Sequence, residues 1–273
     1  MMDERLEELV TTVLASAKYR HVSPGFVRSI GARELAIRPN LKAAIKATKN
    51  TLHQAGGAFQ DAPIDYARAL ARLRAAWDGD PTGEPFQDAC RAVMAAHTST
   101  RERLPILDEF YAKIFAALPA PPRRVLDVAC GLNPLARSWM PLPPTTEYVA
   151  CDIYADQMAF LNEFMALCGY PGRAEVRDAI GSPPDEPADL ALILKTLPCL
   201  EAVDKNAATR LLDAIRAPRL LVSFPAQTLG GRRKGMAAQY ETRFRALLDE
   251  RGWPAEAFEF KTELAFLVQK PQD

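Results

Sequence analysis

Two repeating patterns divide the chain. Up to about residue 115 the apolar positions recur every three or four residues, the spacing of one face of a helix. In ERLEELVTTVLASAKYR the residues Leu6, Leu9, Val10 and Val13 form one stripe, and in NLKAAIKATKNTLHQ a second runs through Leu41, Ile45 and Leu52. Pro24, Pro39, Pro63 and the DGDPTGEP stretch from Asp78 to Pro85 separate these segments, and no strand pattern falls among them. From Arg123 onward short apolar runs alternate with helical stretches. RRVLDVA, EYVACDI, AEVRDA, ADLALILK, RLLVSF, AFEFK and LAFLVQK are strand candidates, with helices over 155–167 and 206–215 between them. That alternation predicts a Rossmann-like α/β fold with a seven-stranded sheet over 106–273, preceded by an all-helical domain over 1–105. The last two strands lie too close for a crossover helix, so they are expected to pair antiparallel as a hairpin at one sheet edge.

At 273 residues there is room for two domains. The 34 basic and 34 acidic residues cancel, so whole-chain charge indicates no partner and the local distribution matters instead. Between Lys18 and Gly56 eight basic residues face Glu34 alone, a local excess of seven. Within it Lys42, Lys46 and Lys49 recur at the spacing of one helix face, a stripe that can pair with phosphates; Lys18 and Arg20 belong to the same basic region. The five cysteines are odd in number and include no C-x-x-C pair, and the three histidines show no ligand spacing, so buried reduced thiols and no metal are expected. MMDERLEELV is acidic where an export signal is basic, and no stretch is long enough to cross a bilayer; a cytoplasmic protein is expected.

The chemistry concentrates at strand ends. In DVACGLNPLA the small residues Ala129 and Cys130 and then Gly131 follow the first strand, where a backbone without Cβ lets a ligand approach. Leu132, Asn133 and Pro134 occupy the place of the further glycine that cradles a pyrophosphate, so the loop suits a nucleoside without phosphates, such as S-adenosylmethionine. Asp152 ends the second strand, twenty-one residues past Gly131, where a carboxylate accepts ribose hydroxyls; Asp178 ends the third, where an adenine amino group falls. An aspartate closing a strand is most often a turn or helix cap. Asp127, Asp152 and Asp178 near the ends of three consecutive strands, together with Gly131, form a more specific set.

HTSTRERLPILDEFY, DVACGLNPLA, LKTLPCLE, SFPAQTLGGRRKGM and ELAFLVQK resemble the aminoglycoside-resistance 16S ribosomal RNA methyltransferases that modify guanine N7, and the likeness runs from about Lys18 to Lys270. The resemblance implies a class I S-adenosylmethionine-dependent methyltransferase fold, and a helical domain docking on the assembled 30S ribosomal subunit. It further implies methylation of a decoding-region guanosine of 16S rRNA, which blocks gentamicin- and kanamycin-type drugs. It also implies a cofactor site formed by Phe59, His97, Thr98, Ser99, Arg103, Asp127, Ala129, Gly131, Asp152, Ile153, Asp178, Ala179, Leu194 and Lys195, with Arg103 meeting the methionine carboxylate. The chain departs from the family pattern at Gln227, where relatives often carry a basic residue, and before Glu263, where they usually have a glycine.

Guanine N7 has a free lone pair and no proton, so no general base is expected, and no D/N-P-P-Y motif follows the fourth strand. N7 is stacked within a helix, so the nucleotide must be extruded to reach a buried methyl group. SFPAQTLGGRRKGMAAQY, with Phe224, Gly230, Gly231, Arg232, Arg233, Lys234 and Met236, is the candidate segment to receive it. A monomer acting on the 30S subunit is the leading reading. The alternative is a catalytically silent small-subunit-binding or assembly protein, against which stand the intact Gly131, Asp152 and Asp178.

Overall fold

The structure, a computed structural model, describes residues 2–57, 62–226 and 236–271. Three helices open the chain: α1 (Met2–Leu14), α2 (Pro24–Ile37) and α3 (Leu41–Leu52), the last running into a π-helical turn, His53–Gly57. Local chemistry fixes their starts. The Ser23 hydroxyl accepts from the Phe26 amide ahead of Pro24 in the first turn of α2, and Asn40 caps α3 through the Ala43 amide. Leu9, Val13, Val27, Ile30 and Leu52 meet in a core belonging to these helices. On α3 the core-facing residues are Ala44, Thr48 and Leu52, while the predicted Leu41 and Ile45 pack at its margin.

Four more helices follow: α4 (Tyr66–Ala76), α5 (Glu84–Met94), α6 (Thr98–Arg103) and α7 (Leu107–Ala116). Leu73, Phe86, Met94 and Phe110 from this group bury with Val125, Leu190 and Leu192 of the sheet rather than with α1–α3. The helical stretch predicted as residues 1–105 therefore feeds two cores, and the first three helices form a unit of their own.

The sheet comprises β1 (Arg124–Val128), β2 (Glu147–Asp152), β3 (Gly172–Val176), β4 (Leu190–Leu194), β5 (Arg219–Pro225), β6 (Ala255–Glu259) and β7 (Glu263–Gln269), in the order β3-β2-β1-β4-β5-β7-β6. All seven match strand candidates. Helix α8 (Ala155–Cys168) covers one face, and α9 (Leu197–Val203), α10 (Ala207–Ala214) and α11 (Met236–Arg251) cover the other. Along β4 the side chains of Leu190, Leu192 and Leu194 enter the first core and those of Ala191 and Ile193 the second, the two-residue alternation of a strand buried on both faces. Five strands run parallel, and β7 pairs antiparallel with β5 and β6. The predicted hairpin is present. Its second strand is interior and only β6 lies at the edge.

Strand order reverses between β1 and β4, so their carboxyl ends diverge and open a crevice. The N-terminal unit is stitched beside it. The Ser23 amide donates to the Ile153 carbonyl at 2.7 Å and the Ala155 amide to His21 at 2.8 Å, around a bridge between Val22 and Tyr154.

Candidate active site

A cleft of about 770 Å³, counting the part open to solvent, lies at that crevice, and Gly131, Asp152 and Asp178 all line it. The predicted Ala129, Ile153, Ala179, Leu194, Lys195, His97 and Ser99 line it as well. Phe26, Ala55 and Gly56 of the N-terminal unit complete one wall, and Tyr154, Thr196 and Cys199 contribute to others. These six carry no motif spacing that points to a ligand; only the fold brings them here.

The strand ends turn sharply. Ala129 (φ 52°), Gly131 (φ 52°) and Lys195 (φ 58°) are all left-handed, and two of them carry side chains that disfavour it. A Cβ on Gly131 would come within 2.8 Å of His97 Cε1, so the glycine is required by its conformation and by the imidazole packed on it. The amides of this loop are consumed internally: Gly131 donates to Asp152 Oδ2 at 2.9 Å, Asn133 to the Cys130 carbonyl and Leu135 to Leu132. Amides so engaged are not available to cradle a phosphate.

Asp152 accepts from Gly131 on one oxygen and from the Ile153 amide on the other, at 2.7 Å, with the Gln157 side chain as a further donor, and its carboxylate lines the cavity. Burial raises its pKa, against the pull of those amides. Gln157 fixes the turn from behind, donating to the Gly131 carbonyl at 2.9 Å. Asp178 accepts from the Ile180 amide at 2.8 Å, and a Cβ on Gly181 would meet its Oδ2 at 2.6 Å. His97 is held neutral, its pKa lowered to about 4 by burial and then by the charges of Arg103, Lys195 and Arg101. Burial pushes the Cys199 thiol up to about 12, so it is protonated.

Three predicted cofactor residues stand behind the wall rather than on it. Thr98 is buried and accepts from Arg101. Arg103, expected to meet a ligand carboxylate, has none of its surface exposed; Nη2 and Nε donate to Glu263 Oε1 and Oε2 at 2.7 and 3.1 Å, and Nη1 donates to Asn133 Oδ1 at 2.9 Å. The guanidinium is thus already matched by a carboxylate of the protein. Asp127 faces inward on β1, where Oδ2 accepts from Asn133 and from Tyr148 at 2.7 Å, and burial raises its pKa to about 7. Lys195 does line the cavity, but its Nζ reaches Glu102 at 2.9 Å, Glu263 at 3.4 Å and the Ser99 carbonyl at 3.3 Å.

Phe224, expected to face RNA, is 4% exposed: its ring stacks on Tyr240 and meets Phe244 and Phe266 edge-on within the second core. Strand alternation in β5 turns it inward. Lys42 and Lys46 are exposed on α3 with Lys49 partly covered beside them, and Lys18 and Arg20 lie at the surface near His53 and His21. Phe59, Gln227, Gly230, Gly231, Arg232, Arg233 and Lys234 lie outside the described residues, as does the side chain of Met236. Among the described residues no cluster of His, Cys, Asp and Glu forms a metal site, and no helix is long and apolar enough to cross a membrane.

The residues fit an adenosine-bearing sulfonium better than a dinucleotide: a tight small-residue turn, two acids at successive strand ends, and loop amides of Gly131, Asn133 and Leu135 already engaged within the protein. Comparison with known proteins agrees. The sequence model of the ribosomal RNA methyltransferase (FmrO) family matches residues 15–267. Similar proteins include the 16S rRNA (guanine(1405)-N(7))-methyltransferases of Frankia casuarinae, 42% identical over 98% of this chain and 95% of the relative, and of Micromonospora echinospora, 39% identical over 98% of each. The enzyme of that name from Serratia marcescens is 37% identical over 97% of this chain and 98% of its own. Among solved structures, 16S rRNA methyltransferase RmtF in complex with S-adenosyl-L-homocysteine superposes with a TM-score of 0.83 at 36% identity, covering 99% of this chain and all 100% of that one. The 16S rRNA methylase RmtB gives 0.79 at 32% identity, covering 97% and 98%.

Proposed function

The chain belongs to the ribosomal RNA methyltransferase (FmrO) family, and from that membership we propose that it methylates N7 of guanosine 1405 in 16S rRNA with S-adenosylmethionine as donor, conferring aminoglycoside resistance. The observation that carries the reading is the convergence of Gly131, Asp152 and Asp178 on one cavity at the switch point of the sheet.

When bound, S-adenosylmethionine supplies an electrophilic methyl group on a sulfonium. The chain's own residues hold and orient. Asp152 has the lone pairs to accept ribose hydroxyls, with the Gly131 and Ile153 amides keeping its carboxylate fixed. Asp178 with Ala179 would hold the adenine, and Ala129, Leu194 and Lys195, at the ends of β1 and β4, would line the part of the cavity that takes the methionine and its methyl group. Thr98, Arg103 and Asp127 support this wall from behind. No residue is assigned as acid or base, because N7 attacks through an unprotonated lone pair; the neutral His97 packs on the turn.

The exposed Lys42 and Lys46, with Lys49, Lys18 and Arg20, are the docking cations for 16S rRNA within the assembled 30S subunit, and the segment of Arg232 to Lys234 with Met236 is assigned to the extruded nucleotide. The protein works as a monomer in the cytoplasm. Incubation of unmethylated 30S subunits with the protein and labelled cofactor, followed by mass mapping of the rRNA, tests the reading. N7-methylguanosine at position 1405 is expected; methylation at another nucleotide, or none, overturns it.

A further inference from the structure

Two buried cations stand at or directly behind the cavity wall. Lys195 lines the cavity and is 5% exposed; Arg103 is fully buried behind it. A net positive wall raises the cost of holding a sulfonium, since like charges in a poorly screened interior repel. The chain answers with two carboxylates from distant elements. Glu263, at the start of β7 and wholly buried, receives both Arg103 Nη2 and Nε and also lies 3.4 Å from Lys195 Nζ. Glu102 on α6 takes Lys195 at 2.9 Å. The Ser223 hydroxyl donates to Glu263 Oε1 and completes its shell. His97, beside both cations, is neutral. These two cations thus meet two carboxylates.

We infer that Glu263 is a positioning and charge-balancing residue whose negative charge keeps the Lys195–Arg103 wall neutral, so that the cavity accepts a cationic sulfonium on equal terms with the neutral thioether left after methyl transfer. The inference rests on the cofactor reading above. It has a signature that packing alone does not produce. S-adenosylmethionine and S-adenosylhomocysteine differ only by a methyl group and its charge, so the ratio of their affinities reports the potential at the sulfur, while losses of shape or of contact with the shared nucleoside and amino acid weaken both.

Calorimetric Kd values for the two ligands, on the full chain, provide the test. In Glu263→Gln the shape is retained and one negative charge is lost. The ratio of the S-adenosylmethionine Kd to the S-adenosylhomocysteine Kd is expected to rise by roughly tenfold, the effect of a unit charge on the order of 10 Å away at an effective dielectric near 20. Lys195→Met, which removes a cation, is expected to move the ratio the opposite way, and the double variant to return it toward that of the unmodified chain. Should Glu263→Gln not fold, Lys195→Met decides alone: a fall in the ratio supports the inference and an unchanged ratio overturns it. Both affinities shifting by one common factor overturns it too, leaving the cofactor reading intact. Failure of the unmodified chain to bind either ligand removes that reading and this inference with it.

Discussion

Gly131 shows how one position can be fixed twice. Its left-handed backbone and the imidazole 2.8 Å from a notional Cβ both demand hydrogen in place of a side chain. Gly131→Ala should lower stability by about 1–2 kcal/mol in thermal melts, and should weaken S-adenosylmethionine binding at least tenfold by calorimetry. Asp127 makes a prediction about pH. Its pKa is about 7 in the fold and ordinary when unfolded, so the native state holds the extra proton between about pH 4 and 7, and its contribution is lost as pH rises through that window. His97, lowered to about 4, acts with the opposite sign and masks the slope up to about pH 6.5. Asp127→Asn, which keeps an acceptor for Asn133 and Tyr148, should therefore gain on the order of 2 kcal/mol relative to the unmodified chain between pH 5 and 8 in urea titrations. An equal difference at both pH values would refute that assignment. Asp152 and Asp178 were legible because strand-end spacing declares them. The burial of Arg103 and Phe224 was not legible because their partners, Glu263 and the rings of Tyr240, Phe244 and Phe266, are remote in sequence or set by strand phase.

Among the elements, α3 joins two tasks. One face buries Ala44, Thr48 and Leu52, and the other carries Lys42 and Lys46 into solvent. Lys42→Glu with Lys46→Glu leaves the core untouched, and the first of these places an acid in the helix's first turn, where the dipole favours it. Filter-binding with 30S subunits should show weaker association and a salt dependence shallower by about two, with cofactor affinity unchanged. Unaltered subunit affinity would remove α3 from the docking surface. The stripe was visible from spacing alone, as were all seven strands, since strand alternation and lysine periodicity are local signals. The short α9, the 3-10 turn Asn133–Trp139 and α11 were not singled out; the first two are too brief to display a period.

At the scale of the molecule, the three opening helices help to build the cavity. Phe26, Ala55 and Gly56 wall the same cavity as Asp152, and the Ser23 and Ala155 amide bonds tie the unit to the loop that follows it. A Cβ on Gly56 would sit 2.7 Å from the Tyr154 hydroxyl, so Gly56→Val should prise the two units apart. Cofactor Kd is expected to rise roughly tenfold while circular dichroism stays native; an unchanged Kd would show that the N-terminal wall is dispensable. The sequence separated the helical half from the α/β half but could not show that α4–α7 share the sheet's core, because amphipathic helices do not declare which neighbour their apolar face will meet.

The placement of β7 between β5 and β6 has a bearing on biogenesis. Glu263 is 160 residues downstream of Arg103, so a nascent polypeptide whose translation has not reached β7 holds Arg103 without its carboxylate partner and a β5 flank open to any passing strand. Such a polypeptide has all five parallel strands available and still lacks the Leu264, Phe266 and Val268 side chains of the second core. Completion of the second core and of the Arg103 ion pair thereby waits on a single late segment.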